Sequence, residues 1–331
     1  MDTDRPTIYQ HPLAYLVGLE GVALLRAFAG EHDRSFVEAR LADVRALLDA
    51  ADRFGPGHEV PPITTRDGYR HWAPRYDGPN GFWGMEEPLV RPLMEHLPRG
   101  VAVDAACGTG RHTEWLVEQG HDVLGVDSSP DMLEIARAKV PGARFAEGDL
   151  HELPVDDASA DLVLVTLALC HVRDLGPVFA ELARVLRPGG RLVVSDTRGY
   201  FTGSPLYPLV EGADGEFGYI PNWFHATSEY LQAALPVGLA PRFCREYVGG
   251  RADHADGGAD GGAGGGREYT AAPDAGTGAF DPAADVELED PARPPTLWEL
   301  MPWVPAAAGA AYAGTPSLVV WDFEKERGAG R

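Results

Sequence analysis

Cysteine is scarce in this 331-residue chain: Cys107, Cys170 and Cys244 stand far apart and no CxxC pair occurs. That spacing excludes a disulfide framework and a thiolate zinc site, and it fits a reducing compartment. Positive charge is also short, with 28 Lys and Arg against 50 Asp and Glu for a formal net charge of −22. A negative field of that size repels phosphate backbones and anionic lipid, so neither nucleic acid nor a membrane surface is expected as a partner. Long hydrophobic runs are missing too. The N-terminal "LAYLVGLEGVALLRAFAG" is interrupted by Glu20 and Arg26, and "DLVLVTLALCHV" has only the length of a strand. Neither a signal peptide nor a membrane span is therefore expected, and the location read from this is cytoplasmic. No internal repeat is present.

What the chain does contain is a change of pattern along its length. In residues 12–53, Leu13, Leu16, Val17, Leu24, Leu25 and Phe28 recur near helical spacing, as do Phe36, Val37, Leu41, Val44, Leu47 and Leu48. This predicts two amphipathic helices separated by a turn at about Gly30–Asp33. Residues 1–62, closed by "GPGHEVPP" at 55–62, read as an N-terminal helical extension, open to two roles: a substrate lid or a homodimer contact. Residues 63–248 read as the core. Strands are expected at 101–105, 122–126, 143–147, 161–167, 191–196 and 240–248. Helices are expected near 86–96, 110–119, 130–139, 176–186 and 227–235. Ser128 and Ser129 precede Pro130 as caps, and "RPGG" at 187–190 reads as a stop before the next strand. Residues 249–266, "GGRADHADGGADGGAGGG", read as a flexible linker. Their spaced Asp253, Asp256 and Asp260 lack the order of a calcium loop. Residues 267–331 form a C-terminal segment with room for a lid and a final strand at 317–323.

Short apolar strands alternating with helices predict an α/β fold with a largely parallel sheet covered on both faces. Right-handed crossovers then bring the strands' C-terminal ends to one edge, where ligands bind. Four features fall there in order: Asp104 with the turn "DAACGTG", Asp127 ending "VLGVD", Asp149 in "AEGDLHELP", and His171 after "LVLVTLALC". A carboxylate at the end of the second strand can accept both hydroxyls of a ribose. Thr113 stands where a dinucleotide fingerprint needs a third small residue, so no pyrophosphate is expected at this turn.

Taken together these residues resemble the class I S-adenosylmethionine-dependent methyltransferases, in particular the small-molecule branch with quinone C-methyltransferases. The likeness covers about 69–200 well and 220–248 and 316–323 loosely. Ala106 stands in the place of the family's first glycine, "LRPGGRLVVSD" (186–196) resembles the motif around the fifth strand, and "YRHWAPRYD" (69–77) resembles a helix over the methionine end of the cofactor. The resemblance implies a Rossmann-like seven-stranded sheet with S-adenosyl-L-methionine as cofactor and no metal. It implies that Ala106, Gly108 and Gly110 let the backbone approach the methionine part. Asp104 would orient that turn, Asp127 hold the ribose hydroxyls, and Ser128, Met132, Asp149, Leu150 and Leu167 line the adenine side or cleft floor. Tyr69 and Tyr76 would reach the methionine carboxylate, with core packing as the alternative for both. Tyr69, Trp72, Tyr76, Phe82 and Trp83 supply aromatic neighbours for a sulfonium.

The expected reaction is methyl transfer to an O, N or C nucleophile of a small, aromatic or polyketide-like acceptor. His171 is the first general-base candidate and His225, in "PNWFHATSEYL", the second. His225 is placed in a pocket wall or just before a helix capped by Thr227 or Ser228. Two alternatives stay open: an adenosylmethionine enzyme that cyclises, rearranges or decarboxylates, and a binding protein with a degenerate cleft. A NAD-dependent oxidoreductase ranks behind both.

Overall fold

The computed structural model describes residues 5–78, 81–198, 207–212, 215–248 and 293–327. The glycine-rich stretch 249–266 and residues 267–292 lie outside them, as does the side chain of Phe82. Among the described residues no helix is long and apolar enough to cross a membrane.

The chain begins with β1 (Ile8–Gln10), α1 (Pro12–Phe28), α2 (Arg34–Asp49), β2 (His58–Val60), α3 (Thr65–Trp72) and α4 (Gly81–Met94). The alternating core follows as β3 (Val101–Ala105), α5 (Arg111–Glu118), β4 (Asp122–Asp127), α6 (Pro130–Lys139), β5 (Arg144–Glu147), β6 (Ala160–Thr166), α7 (Leu175–Val185) and β7 (Leu186–Thr197). After it come β8 (Leu209–Glu211), β9 (Phe217–Tyr219), a helix over Thr227–Ala234, β10 (Leu239–Val248), a helix over Pro305–Tyr312 and β11 (Pro316–Lys325).

Seven strands make one sheet in the order β10-β11-β7-β6-β3-β4-β5. The five strands β7 to β5 are parallel, β11 is added antiparallel to β7, and β10 pairs antiparallel to β11 at the edge. Successive residues of the middle strands serve opposite faces, so both must be apolar. Val163 and Val165 of β6, Leu192 and Val194 of β7, and Val319, Trp321 and Phe323 of β11 join a core with Val178, Phe179 and Leu182 of α7 and with Tyr230. Leu162 and Leu164, Val193 and Val320 join the opposite core, with Val90 and Met94 of α4 and Leu116 of α5. Burial on both faces is why these strands read as unbroken apolar runs.

A further core holds the N-terminal helices. Leu16, Leu19 and Ala23 of α1 and Leu47 of α2 pack with Trp303, Val304, Ala307, Ala308 and Ala311 near and within the Pro305–Tyr312 helix. Phe54 and Trp303 are 5.1 Å apart, and the hydroxyls of Tyr15 and Tyr312 are hydrogen bonded. Asp33 caps α2 through the Phe36 N–H at 2.9 Å, as the turn before it predicts.

Element ends differ from the sequence reading where tertiary contacts win over local signals. The helix expected from 86 begins at Gly81 and runs through Pro88 and Pro92, because Glu86, Val90 and Met94 are all buried against the sheet. "RPGG" does not precede β7 but lies within it. Ala160 pairs with Leu186 and Leu162 with Arg191, so residues 187–190 are a bulge, with Gly189 at φ +83°. The Thr227–Ala234 helix is preceded by Ala226 as N-cap, not by Thr227 or Ser228; Glu229 Oε2 accepts the Ala226 N–H.

Candidate active site

The parallel strands end on one edge of the sheet, and a cleft of about 1210 Å³ opens there. Its first wall is the turn after β3. Cys107 N–H donates to Val126 O at 3.0 Å and Gly110 N–H to Cys107 O at 2.9 Å, which folds the turn back on β4. Asp127 completes it: Oδ2 accepts the Gly108 N–H and Oδ1 the Ser129 N–H, both at 2.8 Å. Burial pushes the Asp127 carboxyl up, and those backbone donors oppose the shift. Each oxygen keeps a further lone pair, as a group that holds a diol requires. Ser129 also caps α6 through Met132 N–H.

Ala106, Gly108 and Gly110 all have positive φ, at +61°, +54° and +83°. Left-handed backbone is strained for Ala106, and Leu167, just past β6, is strained in the same way at φ +53°. Both line the cleft, at the ends of adjacent strands. Ala106→Gly should therefore stabilise the chain by about 1 kcal/mol, read as a rise of roughly 2–4 °C in melting temperature. A Cβ added at Gly108 would meet only Tyr76 Cε1, at 3.8 Å, so this backbone is open to a ligand. At Gly110 it would press on Ala136 Cβ at 3.3 Å. Gly110 thus serves the close approach of α6 and does not line the cleft.

Asp104 lies behind the turn. Its Oδ2 accepts the Thr113 hydroxyl at 2.6 Å, while Oδ1 is buried without a partner among the described residues. Burial pushes its carboxyl up. Thr113, the residue that breaks the dinucleotide fingerprint, is the one that holds this carboxylate. Beside it Glu86 accepts Ser195 Oγ at 2.7 Å and Arg111 at 2.9 Å and pairs with His112 Nε2 at 3.0 Å, which ties α4 to α5 and β7.

The second wall is aromatic. Thr64 caps α3, and from it Tyr69, Trp72, Tyr76 and Trp83 follow as a chain of rings 5.4–5.9 Å apart. Thr109 Oγ donates to Asp77 at 2.6 Å and fastens this wall to the turn. Burial pushes the Tyr76 hydroxyl up to about 12, so it stays protonated. Tyr69 Oη meets His171 Nε2 at 2.8 Å, and His171 Nδ1 lies 3.4 Å from Pro221 O. A carbonyl can only accept, so Nδ1 carries the imidazole proton and Nε2 accepts from Tyr69. Burial pushes His171 down to about 4, leaving a neutral ring at pH 7. Tyr69 and Tyr76 thus both line the cleft, but the Tyr69 proton is committed to His171.

At the third strand's end, Asp149 Oδ1 accepts the His151 N–H at 2.9 Å and meets its ring at 2.6 Å. Burial raises this carboxyl, but the His151 contacts outweigh it and hold it below the ordinary range. Ser128, Leu150 and Leu167 join it in the lining. Met132 is in the core, where it packs beneath α6 and does not reach the cleft. His225 is likewise no pocket wall: it is buried, with Nε2 2.8 Å from Val172 O and 3.2 Å from Leu169 O. The thiols of Cys107 and Cys170 are pushed well above their ordinary value by burial, which makes them unreactive. Sequence reasoning missed Ile63, Thr64 and Arg66 of the lining, which carry no motif and arrive by tertiary packing, whereas Trp223, one of the aromatic neighbours that suggest a wall beside His225, does line the cleft.

These groups fit adenosylmethionine. The open backbone at Gly108, the unpartnered Asp104 Oδ1 behind it, the two-oxygen acceptor Asp127 and the aromatic wall answer its amino acid, ribose and sulfonium parts. No nest for a pyrophosphate is needed. Among the described residues no group of three His, Cys, Asp or Glu is placed to hold a metal ion.

Comparison with known proteins agrees. Residues 103–194 match the methyltransferase domain family. An uncharacterized methyltransferase of Mycobacterium bovis is 47% identical over 97 residues, 29% of this chain and 40% of that protein. A demethylmenaquinone methyltransferase of Renibacterium salmoninarum is 34% identical over 129 residues, 38% of this chain and 54% of that protein. The chain therefore spans about half the length of the curated relatives it matches. In fold it is similar to a chain of the complex between the Haloferax volcanii Trm112 methyltransferase activator and a methyltransferase. The TM-score is 0.51 at 19% identity, over 80% of this chain and 99% of that one. The methyltransferase-domain match thus falls on the core built on β3 to β7, the part of the chain that carries Ala106, Gly108, Asp127 and His171 of the cleft.

Proposed function

We propose that this chain transfers the methyl group of S-adenosylmethionine to a small, aromatic or polyketide-like acceptor. The observation that carries the reading is continuity: one cleft is lined by Ala106, Gly108 and Asp127 at one part and by Tyr69, His171 and Trp223 at another. Its volume exceeds the roughly 300–1,000 Å³ of a single-ligand pocket, which leaves room for two molecules. A demethylmenaquinone methyltransferase among the relatives supports a small-molecule acceptor.

When bound, adenosylmethionine supplies a methyl carbon made electrophilic by a cationic sulfur. The chain's own residues do the rest. Asp127 accepts the ribose hydroxyls, and Asp149, whose Oδ1 is engaged by His151, keeps Oδ2 for the adenine edge. The Tyr69 and Tyr76 rings, with Trp72 packed against both, suit a cation and exclude water. Tyr69 Oη takes the acceptor's proton while passing its own to His171 Nε2, so the proton ends on the imidazole. A ring whose protonated form is already lost near pH 4 is a weak base. It suits an acidic acceptor such as a phenol or enol better than an aliphatic alcohol. Proximity supplies most of the rate.

A thermal-shift comparison of adenosylhomocysteine with NAD tests the reading, because a ligand that binds only the native state raises the melting temperature. A shift with adenosylhomocysteine alone is expected; a shift with NAD alone overturns it. Tyr69→Phe, assayed with an acceptor so identified, should lower turnover about tenfold, the worth of one hydrogen bond of ~1.4 kcal/mol.

A further inference from the structure

Three buried polar side chains converge on the short turn Leu169–His171 without touching the cleft. Asp196, at the end of β7, accepts the Cys170 N–H at 3.1 Å and the Thr197 N–H at 2.8 Å through Oδ1. Its Oδ2 accepts Tyr230 Oη at 2.6 Å. His225 Nε2 faces the carbonyls of Leu169 and Val172, at 3.2 and 2.8 Å, on either side of the turn. Both partners are acceptors, so Nε2 carries the proton and one N–H is shared between them. The backbone closes the set, with Trp223 N–H donating to Cys170 O at 2.7 Å. Asp196 and Tyr230 are 0% exposed and His225 3%. An apolar residue at each position would fill the same core without the desolvation cost of a buried carboxylate and imidazole. These groups therefore answer to something other than core volume. Among the peptide groups they hold are the Cys170 N–H and Leu169 O of the turn whose last residue is His171, and Val172 O directly after it.

We propose that Asp196 and His225 are positioning residues, a clamp that fixes the Leu169–His171 turn and thereby the His171 ring against Tyr69 Oη at the acceptor end of the cleft. The inference rests on the methyltransferase reading for its purpose but not for its geometry. Asp196 acts on the turn's N–H side and His225 on its carbonyl side, so losing either lets the turn open. His171 Nε2 then leaves Tyr69 and meets water. The half of the cleft built on Asp127 and the Ala106–Gly110 turn is held by separate bonds and is left in place.

The test follows the His171 ring nitrogens by nuclear magnetic resonance in protein labelled with nitrogen-15 histidine, assigned through His171→Gln and titrated from pH 4 to 8. Spectra are taken with and without adenosylhomocysteine. In the wild type a neutral ring with the proton on Nδ1 is expected down to about pH 5. In His225→Leu and Asp196→Asn the ring should become a mixture of tautomers and titrate at least one pH unit higher. His225→Gln, whose side-chain amide can donate to the same carbonyls, should restore the wild-type signature. Adenosylhomocysteine affinity should change less than threefold in all three. A wild-type His171 signature in His225→Leu overturns the proposal, as does failure of His225→Gln to restore it. Tyr230→Phe, which removes only the hydroxyl on Asp196, guards against misfolding and should give a weaker shift of the same sign. If adenosylhomocysteine binds none of the proteins, the methyltransferase reading fails, while the ring signatures still decide for or against the clamp.

Discussion

Asp127→Ala should weaken adenosylhomocysteine binding about 10³-fold, or roughly 4 kcal/mol, in a calorimetric titration. The size follows from how much one carboxylate does. It accepts the Gly108 and Ser129 N–H groups at 2.8 Å, and a hydrogen bond to a charged group is worth about 1.5–3 kcal/mol. Alanine removes the acceptors of the ribose and also releases the turn that presents the Gly108 backbone. Asp127→Asn keeps a single carbonyl oxygen and should fall between the two. Affinity within threefold of wild type in a folded Asp127→Ala protein would show that the ligand sits elsewhere.

The second large effect concerns stability. Arg40 is buried between α1 and α2, 3.3 Å from Glu20 and 2.7 Å from Asp43. Burial raises the Glu20 carboxyl to about 7; Arg40 opposes the shift and Asp43 adds to it. The folded state therefore holds the Glu20 proton more tightly than the unfolded chain does. Stability from this group is full below the ordinary carboxylate pKa and is lost as pH rises to about 7, a difference of about 3 kcal/mol. Glu20→Gln should remove that slope, with denaturant unfolding giving a protein more stable than wild type at pH 8 and no more stable at pH 4. Arg40→Met acts in the opposite direction, since it leaves two buried carboxylates without a cation. It should cost about 3–5 kcal/mol at pH 8 and less at pH 4. Equal losses at both pH values would mean that the arginine acts through packing alone.

The same physical logic explains what was legible in the sequence. The middle strands β3, β6 and β7 were readable because both their faces are buried, so their residues are mostly apolar. Asp127 and the small-residue turn were readable because strand ends and left-handed backbone restrict residue type. The end of β6 was not: the apolar run continues through Leu167, whose φ of +53° nothing local announces. The three-residue strands β1, β2, β8 and β9 and the alanine-rich Pro305–Tyr312 helix carry no periodic signal, and long-range packing makes them. His171 could be placed at the cleft by its position after a strand. Tyr69 is placed there only by the family resemblance, and its bond to His171, 102 residues away, carries no sequence signal. His225 shows the converse, because aromatic neighbours suggested a pocket wall where the fold uses the imidazole to hold a turn.

Methyl transfer itself is tested most directly with adenosylmethionine labelled in its methyl group, incubated with the protein and a cell extract and followed by mass analysis. The expected result is label in a low-mass organic product, formed in equal amount with adenosylhomocysteine and lost in Asp127→Ala. Label found only in protein or RNA, or turnover without adenosylhomocysteine, would contradict it.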